Sequence, residues 1–289
     1  MRASGVAGFF VVAGMLGLAL PAQAADLDIE TSPMAVEKAP ASIDREWTLT
    51  LGGYAMVQPD YAGSDDYEFA FKPIIYISRA DKLSRWRSFN DSASIALWDT
   101  GAFEAGVVGQ INWKRDASDS DDLRGMNNVD YAYQVGGYAQ WWPADWLRLR
   151  TELRYGFGGF DGVVADFAVD AVHFTEFWGG MALSAGPRMT LASSGYTDAY
   201  FGVSNEEAAA AQALGNNLTP YEAGGGIYSV GFGGQILKRF TPNILGSVFA
   251  EYKYLMDDAA DSPLVVQNGD RNQFQAGVSL SYTFFLGFE

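Results

Sequence analysis

From Gln273 to Phe284 the chain alternates polar and apolar residues one by one. Phe274, Ala276, Val278, Leu280, Tyr282 and Phe284 hold one parity; Gln273, Gln275, Gly277, Ser279, Ser281 and Thr283 hold the other. A β-strand turns successive side chains to opposite faces, so this segment is a strand with one apolar and one polar face. Residues 147–157 repeat the pattern with charges. Leu147, Leu149, Leu153, Tyr155 and Phe157 share one face, and Arg148, Arg150, Glu152 and Arg154 the other. Similar segments begin near Trp47, Tyr67, Phe103, Val129, Val163, Met181, Ile227 and Ile244. Two weaker stretches, 83–89 and 91–98, bring the set to about twelve strands.

A soluble β-sandwich also alternates, and three further features choose between the two. The segments run to roughly 10–14 residues, against about 5–6 for ordinary soluble strands. Short turns near Arg79-Ala80-Asp81, Pro143-Ala144-Asp145 and Thr241-Pro242-Asn243 interleave with long acidic loops at 58–66, 115–127, 194–223 and 257–271. Outer-membrane barrels have this habit, with short periplasmic turns and long outer loops. With the N-terminus in the periplasm, Trp47, Trp98, Trp141, Trp142, Trp146 and Trp178 all fall at the short-turn end, as an interfacial girdle does. Lipid offers no partner to an unpaired N–H or C=O, so such strands must close on themselves. The reading is an all-β, transmembrane antiparallel β-barrel of about twelve strands over residues 46–289, in the cell outer membrane.

Composition removes most chemistry. The 289 residues contain no Cys and one His, His173. Disulfides, thiolate nucleophiles and Cys or His zinc sites are therefore out, and no cofactor is expected. Asp and Glu number 35 against 19 Lys and Arg, a formal charge of −16, which repels nucleic acid. Residues 1–24 read as a cleaved signal peptide: Arg2, an apolar run from Gly5 to Leu20, then Ala22-Gln23-Ala24. Losing Arg2 takes the charge from −16 to −17. Residues 25–45 are polar, with Pro33 and Pro40, and read as a flexible periplasmic segment.

Several ordered motifs lie along the barrel segment. They are Pro59-Asp60-Tyr61-Ala62-Gly63-Ser64-Asp65-Asp66, Gly162 to Asp166, Ser184 to Arg188, Tyr196 to Val203, Asp257 to Pro263 and the closing strand Gly277 to Phe284. Together they resemble the MipA/OmpV family of Gram-negative outer membranes, with Pro59, Tyr61, Gly63 and Ser64 matching its loop motif. The chain departs from the family at its end, where Phe285 to Glu289 run past the usual terminal aromatic. The resemblance implies an outer-membrane protein without catalysis. One branch of the family is a scaffold joining a lytic transglycosylase to a murein synthase; another is porin-like or adhesive.

Four candidate sites need weighing against blander readings. His173 with Ser184 or Asp170 would suit a hydrolase. Parity, however, puts His173 with Val163, Ala165 and Phe167 on the lipid face, near the periplasmic end, as an interfacial side chain. Inward parity collects Glu68, Lys72, Glu104, Asp130, Arg148, Arg150, Glu152, Arg154, Asp166, Asp170, Arg188, Glu251 and Lys253. Both signs on neighbouring strands either cross-link a narrow lumen or line a small pore, and a barrel of about twelve strands favours the closed form. Ser204 with Glu207 is a capping box and predicts a short helix up to Gly215, either a lid or plug in the mouth or a surface helix. Asp116, Asp119, Asp121 and Asp122, echoed by Asp65/Asp66 and Asp257/Asp258/Asp261, are dense enough in carboxylates to hold Ca²⁺ or Mg²⁺ and bridge to lipopolysaccharide phosphates, but they lack EF-hand spacing and read rather as solvated loops.

The expected role is a non-catalytic scaffold for peptidoglycan-synthesising and -hydrolysing enzymes. A narrow solute channel and an adhesin acting through the outer loops are the alternatives. The expected partners are outer-membrane lipid and lipopolysaccharide, with a lytic transglycosylase and a murein synthase.

Overall fold

The structure is a computed structural model describing residues 47–79, 86–177 and 179–286. The signal peptide, the 25–45 segment, Trp178 and the C-terminal Gly287-Phe288-Glu289 lie outside the described residues. Eleven strands follow in order: β1 (Trp47–Pro59), β2 (Tyr67–Arg79), β3 (Ala93–Asp99), β4 (Phe103–Asn112), β5 (Ala132–Ala144), β6 (Leu147–Gly158), β7 (Gly162–Thr175), β8 (Met181–Ala192), β9 (Gly226–Arg239), β10 (Ile244–Leu255) and β11 (Asn272–Leu286). They form one antiparallel sheet in the order β2-β1-β11-β10-β9-β8-β7-β6-β5-β4-β3. The alternating C-terminal segment is β11, and it joins the two ends of the chain by pairing with β1 from Trp47↔Leu286 to Val57↔Ala276.

The faces are inverted relative to a soluble protein. Phe69, Phe71, Leu97, Leu153, Val278 and Leu280 are exposed, while Thr48, Gln134, Gln140, Gln235, Gln273 and Thr283 are buried. The outer surface is a lipid-facing band and the polar face lines a lumen. At the short-turn end Trp98, Trp141 and Trp146 are exposed, as a girdle requires. Trp142 departs from that expectation. It shares the inward parity of Gln134, Tyr138 and Gln140 along β5, opposite to the exposed Trp141, and is buried.

β2 and β3 are the two ends of the sheet, with no ladder between them among the described residues. If β1 ascends from the periplasm, β2 descends, and β3, which enters the ascending β4 through a tight turn, descends too. Antiparallel closure would need one more ascending strand between them. Residues 86–92 hold that place in the chain but are not a strand, so the segment expected at 83–89 is corrected over its described part; 83–85 lie outside the described residues. Alternation explains why. Arg87 shares a parity with Phe89, and Trp86 shares one with Ser88 and Asn90, so either face would put strongly polar groups into lipid. An Arg at the bilayer midplane costs about 2–4 kcal/mol. The segment instead runs inside the lumen, as a strap.

The long outer loops pack together into a cap. It carries α1 (Ser194–Phe201), α2 (Asn205–Ala213), α3 (Asp257–Asp261) and α4 (Pro263–Val266). Both halves of the Ser204–Glu207 capping box are formed, and α2 lays Ala208 and Ala211 against Tyr61, Leu123, Met126 and Leu264. A second cluster joins Val129, Phe160, Phe201, Leu255 and Val265. The α2 helix is thus part of the cap's own apolar core. Asp130, expected in the lumen, is exposed in this outer region because β5 begins only at Ala132.

Candidate functional site: a bridged lumen beneath a cap

The motif loop latches the cap. Tyr61 is buried, and its Oη donates to the carbonyls of Leu264 (3.2 Å) and Asn268 (3.0 Å). Gly63 has φ +105°, a conformation that favours glycine. A Cβ there would meet Val265 Cγ2 at 2.6 Å. Its N–H donates to Gln273 Oε1 (3.0 Å), and Ser64, fully buried, bridges to Gly269 and accepts from the Asp66 N–H. Pro59 ends β1 opposite Tyr67. Tyr61, Gly63 and Ser64 therefore tie the β1–β2 turn to the β10–β11 loop and the start of β11.

Below the cap, β6 turns Arg148, Arg150, Glu152 and Arg154 inward at a two-residue spacing. Its neighbour β7 places Asp170 opposite Arg148 and Asp166 opposite Glu152. Arg148 is fully buried. Its guanidinium donates to Asp170 (3.0 Å), to Gln140 (2.9 Å) and to Asp91 of the strap (2.6 Å), and lies over the Trp86 ring at 5.0 Å. Arg188 meets the other oxygen of Asp170. Arg150 pairs with Glu152 at 2.8 Å and stands over the Tyr138 ring at 4.2 Å; Tyr138 donates to Glu104. Arg154 holds Glu152 and Asp166. Lys253 meets Glu251 at 3.4 Å. Glu68, at the rim of β2, is exposed and accepts from Gln58 (2.9 Å).

These groups clasp the strap. The Ser92 N–H donates to Glu152 (3.2 Å), the Asn90 amide to Glu251 (3.0 Å) and the Phe89 N–H to Gln235 (2.9 Å). Phe89 stacks on Phe249 with centroids 4.2 Å apart. At the periplasmic end Trp86 meets Trp142 edge-to-face and packs with Val172, Ala182 and Leu237. One peptide segment thus spans from β6 to β10 and fills the lower lumen. Trp86, Phe89, Asn90 and Asp91 are the site residues that alternation missed. The signal available was negative: Arg87, Ser88 and Asn90 make the segment unfit for lipid on either face.

Between the strap and the cap lies a chamber of about 1030 Å³, lined among others by Lys72, Arg150, Arg154, Asp166, Arg188, Glu251 and Lys253. His173 is exposed on the outer face, across from Leu183. Ser184 and Asp170 have the opposite parity, and Asp170 is fully buried, so the wall itself separates His173 from both. Asp65, Asp66 and Asp122 come together in the cap, with carboxylate oxygens within 4.8 Å of one another. Burial first, then the Asp65 and Asp66 charges, push the Asp122 carboxyl above its ordinary range.

The family described as MltA-interacting protein MipA matches residues 51–284. The chain belongs to this family. No curated protein matches it. Among solved structures it is similar to a bacterial polysaccharide outer membrane secretin, at 9% identity and a TM-score of 0.43 over 83% of this chain and 99% of that one. An outer membrane channel from Pseudomonas putida F1 shares 11% identity, with a TM-score of 0.40 over 83% and 96% of the two chains. The NanC porin shares 7%, with a TM-score of 0.39 over 82% and 98%. Given its family and its apolar outer band, this member of the MipA family is an outer-membrane β-barrel protein.

Proposed function

We propose that this barrel is a closed, non-catalytic membrane anchor that recruits a lytic transglycosylase and a murein synthase at its periplasmic face. The observation that carries the reading is the strap, which fills the lower lumen through Arg148, Glu152, Gln235 and Glu251. A barrel spanned in this way is suited to holding partners rather than passing solutes, and the family's description, MltA-interacting protein, names a protein partner. The surfaces offered are the turns around Trp142–Asp145 and Thr241–Asn243, together with the 25–45 segment.

The absence of native cysteine makes the test clean. Asp145→Cys, on an exposed periplasmic turn, should cross-link to a purified lytic transglycosylase, and Ser118→Cys, exposed in the cap, should not. Equal yield from both positions, or from neither, would sink the anchor reading. A porin-like channel rests on the chamber above the strap. It predicts ion-selective steps in a planar bilayer that shift when Arg150 and Arg154 are neutralised, and a silent bilayer counts against it.

A further inference from the structure

The chamber has two closed ends and one unsealed side. The cap covers its outer end and the strap its inner end. Along its side, among the described residues, β2 has a ladder with β1 alone, and β3 covers β4 only up to Gly109. From Gln110 to Asn112, β4 has no strand on that side among the described residues. Phe69 and Phe71 of β2 are each 81% exposed, more than other outward aromatics, as fits a strand unscreened on its far side. Among the described residues this seam is open toward the hydrocarbon of the bilayer.

The lining has cationic capacity to spare. Each carboxylate there is taken: Asp91 by Arg148, Glu152 and Asp166 by Arg154, Glu251 by Lys253. Lys72, on the seam strand, donates to Gln58 Oε1 (2.7 Å) and meets no carboxylate at ion-pair distance among the described residues. Lys253 repels it across the chamber. Arg188 is already held by Asp170 and by the carbonyls of Val169, Gly186 and Pro187, so the cation with charge to spare is Lys72.

We propose that the chamber binds a single-chain anionic amphiphile entering from the membrane through the β2–β3 seam, with its anionic oxygens at Lys72 and its alkyl chain along the seam. Head-group oxygens also give acceptors to the unpaired N–H groups of the β2 edge, which lipid tails cannot. A second copy of the chain is a poorer occupant. Copies inserted in the same sense put their β2 strands parallel, whereas the gap between two descending strands takes an ascending one.

Native mass spectrometry of the folded barrel, released from a non-ionic detergent, tests this with dodecanoate, dodecyl phosphate, dodecanol and acetate. Dodecanoate or dodecyl phosphate should bind at least tenfold more tightly than dodecanol and acetate, and the stronger of the two anions identifies the head group. Lys72→Gln should weaken that binding about tenfold and Lys72→Arg restore it, with heat-modifiable gel mobility confirming the fold. Dodecanol binding as well as dodecanoate would mean apolar adsorption only. Acetate binding as well would mean a soluble-anion site. Either result, or unchanged binding by folded Lys72→Gln, overturns the proposal; if that variant fails to fold, the wild-type comparison decides alone.

Discussion

Glu207 performs two tasks with one carboxylate. Oε2 accepts the Ser204 N–H (2.8 Å), completing the α2 capping box, and Oε1 accepts the Asn127 N–H (2.9 Å) from a loop eighty residues away. Burial opposes its charge, but those N–H donors and Arg115 win, and its carboxyl sits below the ordinary glutamate range. A depressed folded-state value gives stability that is complete above the unfolded value and is lost as pH falls through the folded one. The cap should therefore loosen below about pH 4.3 while the barrel stays folded. Protease nicking within 194–223 measures this, and Glu207→Gln should flatten the acid dependence; nicking that starts at the same pH in both proteins would exclude Glu207 as its cause. Asp122 has the opposite sign. Its raised value means that stability falls as pH rises through it, so Asp122→Asn should tighten the cap at neutral pH, by no more than about 0.5 kcal/mol at this exposure. The box was legible in the sequence because its partners lie three residues apart. The bond to Asn127 was not, nor was the meeting of Asp65 and Asp66 with Asp122, because both join loops that only the closed sheet brings together.

At the scale of elements, the strands were legible almost residue by residue. A lipid-facing strand must alternate along its whole length, and β2, β4, β8, β10 and β11 begin at or within a residue of where their patterns do. The strap was not legible, because a segment inside a lumen has no fixed period. Its energetics make a sharper statement than its pattern. Arg148, fully buried, is shared by Asp91 and Asp170, and removing it leaves Asp91 only the longer contact to Arg150 (3.6 Å), with Asp170 still held by Arg188. Breaking a buried pair from one side costs about 3–5 kcal/mol where the charge left behind is uncompensated, and the Arg150 contact brings the cost here below that. Arg148→Met and Asp91→Leu should each lower the urea midpoint of the vesicle-embedded barrel, while the double variant should lose clearly less than the sum of the two. Strict additivity would show that the Arg148–Asp91 contact does not hold the strap.

Across the whole molecule, the overall architecture followed from strand length, girdle and loop asymmetry, but the state of the lumen did not. Inward parity named Arg148, Arg154, Asp166 and Asp170 without saying that a segment of the same chain would lie between their walls. The result is two closures in series, a cap outside and a strap inside, with the chamber between them. For closures in series, the tighter one sets the conductance, so opening one leaves the other in control. Deleting residues 194–223 leaves Ser193-Gly224-Gly225 to join β8 to β9, a loop of a length common in hairpins. That variant should stay silent in a planar bilayer. Phe89→Ala with Asp91→Ala, which frees the strap from Phe249 and Arg148, should also stay silent beneath an intact cap. The combined variant should conduct in discrete steps, because a lumen between the filled eight-strand and the open sixteen-strand sizes is closed here by the cap and the strap. Conductance from either change alone would show that the other closure leaks, and silence from the combination would move the barrier to the Trp86–Trp142 contact at the periplasmic rim.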